Sequence, residues 1–432
     1  MSKKSFGLYA ATSVVIANMI GSGVFTSLGF QLLDIHSVFS IMLLWILGGV
    51  AALCGALSYG ELAAALPRSG SEYNYLSKIY HPAMGFLSGW VSATVGFAAP
   101  VALSSMLMAS YASKVFGEIS QAWLAAAAII VFTLIHAGST KTGGRFQSIF
   151  TSVNILLIIF IIASGFLSGN HQAITLLPGP SSWKEFVSPG FAIGLFWVSY
   201  SYSGWNASAY MAGEIENAQK NVPRSLFTGT IFVMILYVLL NFIFLYTTPA
   251  SEIAGQKEVG FIASSHIFGD TGARVIGLVI SALLASSVSS MMMAGPRVTQ
   301  VMGEDNRLLQ AFSHKNRKGI PVRAIMLQAA IALVLIFTSS FEQVLIYIGF
   351  TLNIFTFFTV LGLFVLRFRQ PQLPRPYKTW GYPVTPFLFL CVTLWILCYG
   401  LYQKPHESIA GLFTVLSGLI VYFAGRKKSP SV

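Results

Sequence analysis

Long apolar runs separated by short polar stretches dominate the chain. A sliding window of about 19 residues picks out about twelve of them. They lie near 7–31, 39–66, 83–113, 121–138, 146–168, 190–213, 225–247, 271–297, 323–339, 342–367, 383–402 and 408–425. Crossing a hydrocarbon core takes about 20 apolar residues in a helix. The pattern therefore predicts an all-α polytopic membrane protein with twelve transmembrane helices, and the even count puts both termini on one side.

Two runs are interrupted. The first carries Met19-Ile20-Gly21-Ser22-Gly23-Val24-Phe25, where two glycines and a serine are poor helix interior. Irregular backbone at membrane depth persists only where protein or a water-filled cavity covers it, because lipid cannot satisfy an open N–H or C=O. The N–H groups of Gly21, Ser22 and Gly23 at such a break suit a small carboxylate. The alternative is a pair of glycines that lets two membrane helices pack closely. The sixth run carries Tyr200-Ser201-Tyr202-Ser203-Gly204-Trp205-Asn206 and then Ser208, a hydroxyl, amide and glycine cluster at midspan.

Paired interruptions at corresponding places in two halves point to inverted repeats with a midplane binding site. Runs one to five and six to ten match in this way. The predicted organisation is a first repeat over 1–169, a second over 170–370, and two C-terminal helices with a tail over 371–432. The eighth run adds Ser286, Ser287, Ser289 and Ser290, and the tenth adds Asn353. Serines often do no more than bond back to their own helix; the alternative is that they line a substrate or ion path.

Composition and charge agree with a membrane location. Of 432 residues, 55% are hydrophobic and 9% charged, with a mean hydropathy of +0.71. The net charge of +12 needs no nucleic-acid partner: with the N-terminus inside, 21 of the 26 Lys and Arg residues fall in cytoplasmic segments, as the positive-inside rule requires. This orientation places both termini in the cytoplasm of a cell whose plasma (inner) membrane holds the protein. Cys54, Cys391 and Cys398 all sit in apolar runs and read as small core residues, not as a disulfide framework or a metal site. No lipid-anchor motif is present.

Charge is missing from the middle of every run, which argues against a carboxylate proton relay and against a side-chain counter-ion for a charged substrate group. The seven histidines are scattered, no His-x-x-x-His pair or cysteine cluster marks a metal site, and no nucleophile motif occurs. Neither enzyme chemistry nor a cofactor is expected. Glu61, Arg68 and Glu72, around the end of the second run, are either a solvated loop with a weak ion pair or a cytoplasmic gate latch.

These motifs together resemble those of the amino acid-polyamine-organocation superfamily, and within it most resemble the L-type amino acid transporters. Ile20 to Phe25 is similar to that family's first-helix signature. Gly60-Glu61-Leu62 and Pro67 to Tyr73 are similar to its second. Tyr202 to Asn206, Asn221-Val222-Pro223-Arg224, Leu366 to Pro371 with Arg375-Pro376, and Leu416 to Phe423 continue the likeness over essentially the whole chain.

The resemblance implies two inverted five-helix repeats, a 5+5 arrangement with broken first and sixth helices, plus two further helices, working by alternating access. It implies that backbone around Ile20, Gly21, Ser22 and Gly23 holds a substrate carboxylate, and that backbone near Tyr200, Ser203, Gly204 and Trp205 takes the α-ammonium, with Tyr200 as the aromatic gate. The tyrosine departs from the phenylalanine common in that family. Asn154 departs too, standing where many relatives carry a lysine. The loop from Lys114 to Gln121 lacks the cysteine that links the family's light subunits to a glycoprotein, so no disulfide-linked heavy subunit is predicted.

The resulting expectation is a transporter of neutral L-amino acids, by exchange or facilitated uptake. A sodium- or proton-coupled symporter using Asn154 and Ser286 to Ser290 is the alternative, and a non-transporting amino acid sensor a remote one. Replacing Gly23 with leucine is expected to abolish binding and leave the fold intact.

Overall fold

The computed structural model describes residues 7–117, 119–138, 143–169 and 171–425. The first apolar run is split into α1 (Leu8–Met19), a 3-10 turn at Gly23–Phe25 and α2 (Ser27–Gln31). There follow α3 (Val38–Ala65), the short α4 (Ser71–Ile79), α5 (Pro82–Val91), a π segment at Ser92–Gly96 and α6 (Ala98–Phe116). Next come α7 (Gln121–Gly138), α8 (Gly143–Leu167), α9 (Pro180–Phe186), α10 (Pro189–Ser201), α11 (Ala207–Tyr210) and α12 (Ala218–Thr247). The chain closes with α13 (Ala250–Ile253), α14 (Val259–Asp305), α15 (Val322–Thr338), α16 (Phe341–Arg369), α17 (Val384–Gln403) and α18 (Pro405–Gly425).

Among the described residues nine helical stretches are long and apolar enough to cross a membrane, α5 through α6 counting as one. The other three predicted runs hold shorter helices, α1, α10 and α15. Two of these are short because the Gly/Ser breaks end them. Lys3, Lys4, Lys141 and the basic cluster Arg426 to Lys428 lie outside the described residues, as do both termini, whose cytoplasmic placement was predicted.

Helix starts follow from local chemistry. Ser188 accepts from the Phe191 N–H at the start of α10, whose first residue is Pro189. Ser340 and Gln343 form a reciprocal capping box on α16; such pairs satisfy N–H groups that no helix can satisfy internally. Inside the molecule α3 lies along α12, α6 along α14, and α1 along α12. Apolar side chains of α7 and α18 such as Leu134 and Ile420 point outward, which lipid tolerates and water does not.

Four expectations need correction. The third run is not one regular helix: Pro100 has no N–H to give the Gly96 carbonyl, and the π segment sits just before it. The eighth run extends to Asp305 and back through a kink at Gly269, whose φ is +71°. The polar stretch after α3 is not a solvated loop, since α4 forms there with Glu72, Asn74 and Tyr75 buried. Cys54 is buried, but Cys391 and Cys398 are exposed on α17, because a lipid-facing helix surface is as apolar as a core.

Candidate functional site

The two breaks are built into each other. At Gly23 an added Cβ would stand 2.6 Å from the Ser201 Cα, so only glycine lets the 3-10 turn lie against the end of α10. Gly204 makes the reciprocal contact: its φ is +95° and a Cβ there would stand 2.5 Å from the Asn18 carbonyl oxygen. Hydroxyls fasten the junction. Ser27 and Ser201 are 2.9 Å apart, and the Tyr237 hydroxyl on α12 donates to the Met19 carbonyl at 2.7 Å. That tyrosine takes up a carbonyl at the end of α1, which the break leaves without a helical partner.

Beside this junction lies a cavity of about 410 Å³. Its wall includes Gly21, Ser22 and Gly23 from the first break and Tyr200, Ser203, Gly204 and Trp205 from the second. The hydroxyls of Ser22 and Tyr200 are 2.8 Å apart. In contrast to Gly23, a Cβ on Gly21 would meet nothing within 4 Å. The two glycines therefore do different jobs, and the expectation that a leucine at position 23 leaves the fold intact does not hold. Asn353 is also in the wall, its amide 3.3 Å from the Ser199 hydroxyl. Phe97, Leu352, Phe389 and Ile396 contribute apolar surface.

The remaining predicted residues sit elsewhere. Ile20, Asn154, Ser286 and Ser287 border a separate small cavity of about 10 Å³. There the Asn154 Oδ1 and Ser286 Oγ are buried without a hydrogen-bond partner, while Ser287 bonds back to the Leu283 carbonyl at 3.3 Å. Ser289 pairs with His136 at 2.9 Å. Ser290 borders neither cavity.

Glu61 is fully buried but does not meet Arg68, which is exposed. Its two oxygens instead accept from Arg367 at 2.8 and 2.6 Å, the second oxygen also accepting from the Thr379 N–H at 2.7 Å. Arg375 lies 3.4 Å away. This cluster ties the end of α3 to the end of α16 and the loop before α17. In that loop burial, and then the Glu61 charge, push the Tyr377 phenol up to about 12.

Glu72 is the residue whose place the sequence pattern misses. It is only 4% exposed and belongs to the wall of the large cavity. Its Oε1 accepts from Asn206 at 2.6 Å and from Tyr59 at 2.9 Å, linking α4 to the second break and to α3. The absence of charge inside the apolar runs thus does not leave the cavity without a carboxyl group, because α4 delivers one from outside them.

A family model described as "Amino acid permease" matches residues 6–423. The large neutral amino acids transporter small subunit 2 of Mus musculus is 26% identical, over 98% of this chain and 81% of that protein. The serine/threonine exchanger SteT of Bacillus subtilis (strain 168) is 28% identical over 99% of this chain and 98% of its own length. The human b(0,+)-type amino acid transporter 1 is 28% identical over 98% and 88%. With a break-lined cavity inside an apolar helical body and a family match over nearly its whole length, the chain belongs to the amino acid permease family.

Proposed function

We propose that this protein moves neutral L-amino acids across a membrane by alternating access, working as an exchanger. The observation that carries this reading is the junction of two broken helices beside one cavity. In the proposed site the N–H groups at Gly21, Ser22 and Gly23 receive the substrate carboxylate, helped by the positive end of the resuming helix. Backbone around Tyr200 and Ser203 takes the α-ammonium, and the apolar wall takes the side chain. Tyr200 gates the cavity, and Glu61 with its arginines closes the opposite end of α3. The names of relatives support amino acid transport as the activity, and that of the serine/threonine exchanger supports exchange.

Counting the two broken helices and α15, the fold is twelve crossings in two inverted five-helix repeats, 1–169 and 170–370, followed by 371–432. Both termini are cytoplasmic and the membrane is the plasma or inner membrane. The protein works without a disulfide-linked heavy subunit. A second reading, cation-coupled symport, draws on the unpartnered oxygens of Asn154 and Ser286 beside the first break.

The test is uptake of labelled leucine, alanine and serine into proteoliposomes, with and without internal unlabelled amino acid and with sodium or proton gradients. Uptake that needs internal substrate and ignores gradients is the expected result. Gradient-driven uptake into empty vesicles would make the protein a symporter, and binding without uptake would make it a sensor.

A further inference from the structure

We propose that Glu72 forms a second subsite of the large cavity, taking the side-chain ammonium of a cationic amino acid; this rests on the reading of the two breaks as the site for the amino acid's backbone ends. The observation is an incompletely satisfied carboxyl group. Glu72 is buried in the cavity wall, its Oε1 holds the Asn206 amide and the Tyr59 hydroxyl, and its Oε2 has no hydrogen-bond partner. No Lys, Arg or His pairs with it among the described residues. The titratable groups close enough to feel its charge, Tyr75 and Tyr210 besides Tyr59, are phenols, and the Tyr210 hydroxyl is also near enough to hydrogen-bond the carboxyl group; none of them brings a positive charge.

A buried carboxylate without a cation is costly, and natural structures rarely leave such an oxygen unpaired without a reason. The carboxylate is nonetheless held in place: two donors fix Oε1, and Glu72 lies in the first turn of α4, where the helix dipole favours negative charge. Oε2 is the acceptor left over for a ligand. The geometry suits a long side chain, because Asn206 follows Ser203 by three residues, at most about 11 Å of chain even fully extended. A substrate whose α-ammonium lies by Ser203 would reach toward Glu72 with a terminal cation.

Lysine and norleucine differ by the terminal ammonium and so isolate this contact. Each is added as competitor of labelled leucine exchange in proteoliposomes, with wild type, Glu72→Gln and Glu72→Asp. In wild type both compete. In Glu72→Gln the concentration of lysine needed for half-inhibition, relative to norleucine, rises about tenfold, as loss of a hydrogen-bonded charge pair predicts; Glu72→Asp retains lysine competition. A merely structural Glu72 would move both competitors together, leave the ratio unchanged and overturn the proposal. Wild type in which norleucine competes and lysine does not would overturn it without any variant, while leaving the exchange reading standing. Should wild type exchange no leucine, thermal stabilisation of the purified protein decides: a larger shift by lysine than by norleucine supports the subsite, and an equal or smaller one overturns it.

Discussion

The hydroxyls of Ser22 and Tyr200, separated by 178 residues in sequence, stand 2.8 Å apart in the cavity wall. They bridge the two breaks where substrate is proposed to bind. A hydrogen bond of this neutral kind contributes about 0.5–1.5 kcal/mol. Tyr200→Phe keeps the ring and removes the bond, so leucine half-saturation is expected to rise by about twofold to tenfold. Tyr200→Ala removes the ring as well and should slow exchange further. Equal exchange by wild type and both variants would take Tyr200 out of the gate.

Gly21 and Gly23 separate binding from folding. Gly21→Ala adds a methyl group where nothing stands within 4 Å, beside the N–H groups proposed to hold the carboxylate. Its melting temperature should match wild type while affinity falls. Gly23→Ala puts a Cβ 2.6 Å from the backbone of Ser201, and overpacking of that sort costs about 1–3 kcal/mol. A lowered melting temperature is expected there. Melting curves and leucine competition on the two purified variants check the contrast, which fails if both behave alike.

How much of this was legible from residue order depends on the range of the cause. Each apolar run carries its own signal, so the helices could be placed one by one. The breaks were visible because Gly21, Gly23 and Gly204 are poor helix formers wherever they occur. What holds Gly23 against Ser201, or Tyr237 to the Met19 carbonyl, is set by contacts between distant segments, and no local pattern encodes them. Glu72 was hidden for the same reason: its own segment has the composition of a loop, and its burial comes from α3 and the second break. Pro100 was a local signal for the π segment that the reading by apolar runs passed over, since its missing N–H is a fact of the sequence.

Glu61 and Arg367 lie 306 residues apart and share two hydrogen bonds with the carboxylate fully buried. Removing one partner of a buried pair strands the other charge, at a cost of about 3–5 kcal/mol. Glu61→Ala and Arg367→Ala should each lower the melting temperature markedly. The double variant should lose less than the sum, since the contact between the two is then lost once and Arg375 is the one charge left without the carboxylate. Strictly additive losses would show that the pair acts as two independent contacts.

Asn154 bears on coupling. Its Oδ1 and the Ser286 Oγ are unpartnered beside a cavity of about 10 Å³, about the room one water needs. The Asn154 amide neither gains nor loses a proton near neutral pH, so it cannot couple transport by titrating. Asn154→Ala should therefore keep the dependence of leucine uptake on internal amino acid and show no response to a sodium or proton gradient, while the lost polar wall lowers the rate. If wild type answers to a sodium gradient and Asn154→Ala does not, the small cavity is a cation site and the cycle is symport.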